Sequence, residues 1–118
     1  MVITGAAEII TVVESSIVRK GNTATILCKA IGYPPPSITW SRTNETLSDR
    51  VSVSDSVSVP TGNGNVTSVN VNLIITAASR EDTGVYTCSA NNSIGSDNRN
   101  VSITVQCKVF VMLHVVII

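Results

Sequence analysis

A chain of 118 residues carrying eight basic and eight acidic side chains has room for one domain and has no net charge. That balance excludes a dominant electrostatic partner, so nucleic acid and anionic membrane surfaces are not expected. Hydrophobic residues at 43% with charges at 14% exclude disorder, and Val, Ile and Thr together supply 44 residues, which favours strands over helices.

In chain order, residues 1–8 form an unpatterned segment without the basic start and apolar run of a secretory signal. Ile9 to Val18 reads as a first edge strand, and Lys20-Gly21-Asn22 as a turn. Ala24, Ile26, Cys28 and Ala30 alternate with Thr25, Leu27 and Lys29, the period of a half-buried strand. Gly32 to Pro36 is a stiff connection, because proline fixes φ and pushes its predecessor toward extended geometry. Ile38 and Trp40 then point inward from a short strand. Val51, Val53, Val57 and Val59 alternate with serines, a Gly62-Asn63-Gly64-Asn65 turn follows, and Val69, Val71, Leu73 and Ile75 resume the alternation. The pattern predicts a hairpin with one buried and one solvated face. Ala77 to Asp82 reads as a crossover with at most one helical turn. Tyr86, Cys88 and Ala90 face one way from the next strand, Asn91 to Asn98 is a polar loop, and Val101, Ile103 and Val105 belong to the last strand. Seven or eight short strands separated by turns predict a sandwich or barrel.

The cysteines are Cys28, Cys88 and Cys107, without a C-x-x-C pair, and His114 is the one histidine, so a zinc or dithiol redox site has no support. Cys28 and Cys88 suit either a disulfide between distant strands, which loop-closure entropy values at about 4 kcal/mol, or a pair of buried free thiols. Cys107 is left over.

Cys28, Trp40 and the run Asp82-Thr83-Gly84-Val85-Tyr86-Thr87-Cys88 together resemble the immunoglobulin superfamily. Gly32-x-Pro34-x-Pro36, Leu73-x-Ile75 and Cys88-x-Ala90-x-Asn92-x-x-Gly95 are similar to the intermediate set of these domains. The resemblance implies an all-β, two-sheet antiparallel Greek-key sandwich over residues 9–106. It further implies a Cys28–Cys88 disulfide packed against Trp40, with Leu73 in the core. Tyr86 takes the position of a tyrosine corner, and Arg50 is the candidate partner of Asp82 in a corner ion pair. The spacing departs from the family between Trp40 and Leu73, where the slack sits.

No catalytic constellation, cofactor loop or calcium cluster is visible, so neither an enzyme nor a small-molecule site is expected. Sequons for N-glycosylation stand at Asn44, Asn65, Asn91 and Asn100, where chance supplies two or three. The outward positions of the sheet holding Trp40 and Cys88 are small and polar, among them Ser37, Thr39, Thr87, Ser89 and Asn100, so that face is expected to make no tight protein contact. Residues 107–118 form an apolar tail, about 15 Å long as a helix and too short to span a bilayer. It is read as truncated or spurious sequence, with the chain a fragment of a longer extracellular protein. The resemblance therefore implies a non-catalytic recognition, adhesion or spacer module of a cell-surface or secreted protein. Its partners would be proteins, a like copy or a neighbouring immunoglobulin domain included, and membrane attachment would come only through other parts of the chain. The alternatives are a module in the ectodomain of a receptor enzyme such as a receptor tyrosine kinase, and an intracellular muscle-filament domain without the disulfide.

Overall fold

Alternating β-branched side chains settle into strands because each can bury one face and leave the other in water. A computed structural model describes residues 5–62, 64 and 66–107. Among them the strands are β1 (Gly5–Thr11), β2 (Ser15–Arg19), β3 (Ala24–Tyr33), β4 (Ser37–Arg42), β5 (Val51–Val53), β6 (Val57–Pro60), β7 (Thr67–Ile75), β8 (Gly84–Asn91) and β9 (Ser96–Gln106). One sheet runs β1-β3-β7-β5 with β6 also on β7; the other runs β2-β9-β8-β4. A single 3-10 turn at Arg80–Asp82 links β7 to β8. The inner faces meet in one core that includes Ile26, Cys28, Trp40, Val71, Leu73, Tyr86, Cys88 and Ile103. This is the all-β sandwich that the alternation called for.

Four local readings change. The segment Ile9 to Val18 is two strands, not one. Ile9 and Val18 are both buried yet lie an odd number of positions apart, which one strand cannot achieve; the chain switches sheets between them. β1 pairs antiparallel with β3, whereas β2 pairs parallel with β9. The ordered sandwich also begins before residue 9: β1 starts at Gly5 and buries Ala7. At the other end of the sandwich, the polar loop shortens to residues 92–95, because β9 begins at Ser96 opposite Asn91.

The largest change concerns the valines. The hairpin forms, with Pro60 opposite Thr67, but the four valines do not share a face. Val51 and Val53 lie opposite Ile75 and Leu73, on the core side. Val57 and Val59 lie opposite Asn70 and Ser68, on the outer side. Between them β7 advances from Leu73 to Asn70 while the facing chain advances from Val53 to Val57, so one extra residue forms a bulge that inverts the alternation. Ser54 holds the break: its N–H donates to Asn72 O at 2.9 Å and its Oγ accepts from Asn72 N at 2.8 Å.

Candidate functional site

The core centre is built from three strands. Cys28 on β3 and Cys88 on β8 form a disulfide that joins the two sheets, both residues being fully buried. Trp40 on β4 lies directly opposite Cys88, and its indole Nε1 donates to the Val71 carbonyl of the other sheet at 3.2 Å. Leu73 and Tyr86 are fully buried in the same cluster.

The corner between β7 and β8 is held by Asp82. Tyr86 donates its hydroxyl to Asp82 O at 2.7 Å, and the Ser79 N–H donates to Asp82 Oδ2 at 2.8 Å. Arg50 donates from Nε to Oδ2 at 3.1 Å and from Nη2 to Oδ1 at 2.8 Å, a two-pronged pairing. Burial disfavours the Asp82 charge, but the Arg50 hydrogen bonds, the Ser79 N–H and the Arg50 charge outweigh it and hold the carboxyl below its ordinary 3.8. The Asp82 hydrogen bonds raise the Arg50 guanidinium in turn, and burial raises the Tyr86 phenol. A carboxyl depressed by folding stabilises above its unfolded value and loses that contribution as pH falls through the folded one. Asp82→Asn is therefore expected to unfold in urea with about 1–2 kcal/mol less stability at pH 7. The difference from wild type should shrink steadily below pH 4; a constant difference down to pH 2 would contradict the ion pair.

Two supporting residues were not legible as such in the sequence. Arg42 sits with its guanidinium carbon 5.3 Å from the Tyr86 ring centroid and donates to the Glu81 and Thr83 carbonyls at 2.7 and 2.8 Å. Asn92 ties three segments together. Its Oδ1 accepts from the N–H groups of Ala7, Ile94 and Gly95, and its Nδ2 donates to the carbonyls of Gly5 and Pro34. Gly32 makes room for it: a Cβ there would lie 2.9 Å from Asn92 Nδ2. A polar residue in a polar loop gave no sign of this, beyond its place in the Cys88-x-Ala90-x-Asn92 motif.

The outer faces differ in chemistry. On the β2-β9-β8-β4 sheet, Ser37, Thr39, Ser41, Asn91, Asn100, Ser102 and Thr104 are exposed, and Thr87 Oγ1 donates to Asn100 Oδ1 at 2.9 Å. Asn44 lies just past β4 in a left-handed turn with φ 62°. Asn65 and residues 108–118 lie outside the described residues, while Cys107 is a free, half-buried thiol. The other sheet's outer face carries a groove of about 350 Å³ lined by Ile10, Lys29, Ile31, Val59, Ser68 and Asn70. Among the described residues no three His, Cys, Asp or Glu side chains group as metal ligands, and no helix is long and apolar enough to cross a membrane.

Residues 7–105 match the Immunoglobulin I-set domain family. The chain belongs to the immunoglobulin I-set family. This I-set domain is 32% identical over 101 residues to vascular cell adhesion protein 1 of Canis lupus familiaris, covering 86% of the chain and 12% of that protein. It is 32% identical over 94 residues to Lachesin of Drosophila melanogaster, covering 79% of the chain and 23% of that protein. The chain thus spans a minor part of the relatives it matches. Among solved structures it resembles a chimeric titin Z1Z2 chain, with a TM-score of 0.72 at 23% identity, covering 90% of this chain and 99% of that one. It also resembles a chain from a mutant form of the complex of titin M10 with an obscurin-like 1 immunoglobulin domain, with a TM-score of 0.67 at 26% identity, covering 90% and 98%. The titin Z1Z2 likeness shows the fold alone. The family and the adhesion-type relatives make this chain a module of the kind that multidomain proteins carry.

Proposed function

We propose that this I-set domain acts outside the cell as a non-catalytic recognition module of a multidomain cell-surface or secreted protein. The observation that carries the reading is the buried Cys28–Cys88 disulfide, since such bonds persist where the surroundings are oxidising. The resemblance to a vascular cell adhesion protein and to Lachesin supports it. So does the sequon pattern: Asn91 and Asn100 stand exposed on one sheet face and Asn44 at its end, where attached sugars would leave the core untouched. A filament-type intracellular role is the second reading, favoured by the 26% identity to a chain of the titin M10 complex.

Lysis of cells that express the chain directly into denaturant with excess alkylating reagent, followed by mass spectrometry without reduction, separates the two. The extracellular reading expects Cys107 to be alkylated and the Cys28 and Cys88 peptides to remain joined. Three alkylated cysteines would refute it in favour of the filament reading. Enzymatic deglycosylation of the same sample converts each used sequon asparagine to aspartate, which reports on Asn44, Asn65, Asn91 and Asn100.

A further inference from the structure

Eight basic and eight acidic side chains cancel over the whole sequence, but the fold does not spread them evenly. Arg42 is paired with Glu45, Arg50 with Glu81 and Asp82, and Arg99 with Asp97. Among the described residues Arg19, Lys20, Lys29 and Arg80 form no ion pair. Arg19, Lys20 and Arg80 meet at one place. Arg19 ends β2 opposite Gln106, the last residue of β9. Lys20 follows, and its backbone N–H donates to Gln106 O at 2.8 Å. The Gly21 N–H donates to Ala78 O at 2.8 Å and the Ala78 N–H to Asn22 O at 2.9 Å, which clamps this turn onto the segment leading to Arg80. The Arg80 side chain in turn reaches the Cys107 thiol, just past Gln106. Three cations distant in the sequence thus ring the end of β9, and all three are exposed.

The acids of the same corner are engaged elsewhere. Asp82 is fully buried under the Arg50 guanidinium, and Glu81 lies 3.5 Å from Arg50 Nη2. Arg50 directly precedes β5, at an edge of one sheet, whereas β2 is an edge of the other. Positive charge therefore gathers on the β2-β9 side of the corner, and negative charge toward β5. Like charges repel, so three cations held together by a strand end and a clamped turn gain when an anion lies across them.

We propose that this end of the sandwich binds a sulfated polysaccharide, a thin chain with closely spaced sulfates. Such a chain lies along the cations ringing β9 and leaves Glu81 and Asp49 in water on the β5 side. A flat anionic membrane would press on those acids as well, and a chain without net charge has no long-range pull toward a large phosphate surface. The proposal deepens the recognition role by naming a ligand class, and it rests on the extracellular reading.

Binding of the disulfide-intact 118-residue chain to heparin fragments, from about 20 mM to about 300 mM salt, tests it. The expected result is reversible binding whose logarithm falls against the logarithm of salt with a slope of about −2 to −3, as three contacts require. Arg19→Gln, Lys20→Gln and Arg80→Gln should each weaken it about threefold, and the triple variant at least about thirtyfold. Lys29→Gln removes the same charge from the outer face of the other sheet and should change it less than about 1.5-fold. Desulfated heparin should not bind. Far-ultraviolet circular dichroism and urea midpoints matching wild type show that each variant folds. Absence of binding at the lowest salt overturns the proposal, and so does wild-type affinity in the triple variant. An effect of Lys29→Gln equal to that of Lys20→Gln would mean that net charge and not this cluster is read. Equal affinity for vesicles containing anionic phospholipid, or for a DNA oligonucleotide, would overturn the assignment to a sulfated chain. Because cysteine alkylation reports on the compartment and heparin binding on the cluster, the two readings can fail separately.

Discussion

Replacing Cys28 and Cys88 together by alanine is expected to remove about 4 kcal/mol from the stability of the domain, the loop-closure value for the 60-residue separation between them. Small domains hold about 5–15 kcal/mol in total, so the variant would sit near the edge of folding at 37 °C. The melting temperature should fall by on the order of 20 °C. Two features make the effect large here. The bridge ties β3 of one sheet to β8 of the other, so cutting it frees the pairing of the layers and not a local loop. Both cysteines are also fully buried, so alanine leaves a void at the centre of the core. Urea unfolding of the oxidised and double-alanine chains measures the difference directly. A loss under about 1 kcal/mol would mean that packing alone carries the sandwich, as in a filament-type domain.

Trp40→Ala should cost nearly as much, about 3–5 kcal/mol, by emptying the space next to the disulfide and removing the indole hydrogen bond to Val71. Trp40→Phe separates the two contributions. It keeps most of the apolar volume, loses the N–H, and should cost about 1–2 kcal/mol, with little change in the denaturant slope. If Trp40→Ala and the double-cysteine variant are combined, their effects should not add, because Trp40 faces Cys88 and the two share one cavity. A fully additive triple variant would show that the indole and the bridge act on separate parts of the core.

The family-defining core was open to a reader of the residues alone. Cys28, Trp40, Leu73, Tyr86 and Cys88 each sit at the parity their neighbours dictate, and all are buried. The Arg50 and Asp82 positions likewise come together at the corner, at 2.8 Å. The surfaces were less legible. The alternation from Val51 to Val59 carries Asp55 where a further valine would fall, and that charge is the local mark of the break, though it does not say that the later valines turn outward; the bulge exists because β7 is continuous while its partners must leave it at two different registers. The bracing role of Asn92, a residue the family motif marks, was hidden for a related reason. Its side chain makes five hydrogen bonds, to Gly5, Ala7, Pro34, Ile94 and Gly95, and three of these partners are distant in the chain.

The residues by themselves determined the strand-rich class, the inward parity of the core and the family, because alternation and spacing are local properties of a chain that must bury one face. Which strand joins which sheet, the sheet switch between Ile9 and Val18, and the outward turn of Val57 and Val59 were decided only in the folded molecule. Those features depend on register between segments far apart in sequence, and a shift of one residue there exchanges core for solvent while leaving the local pattern unchanged.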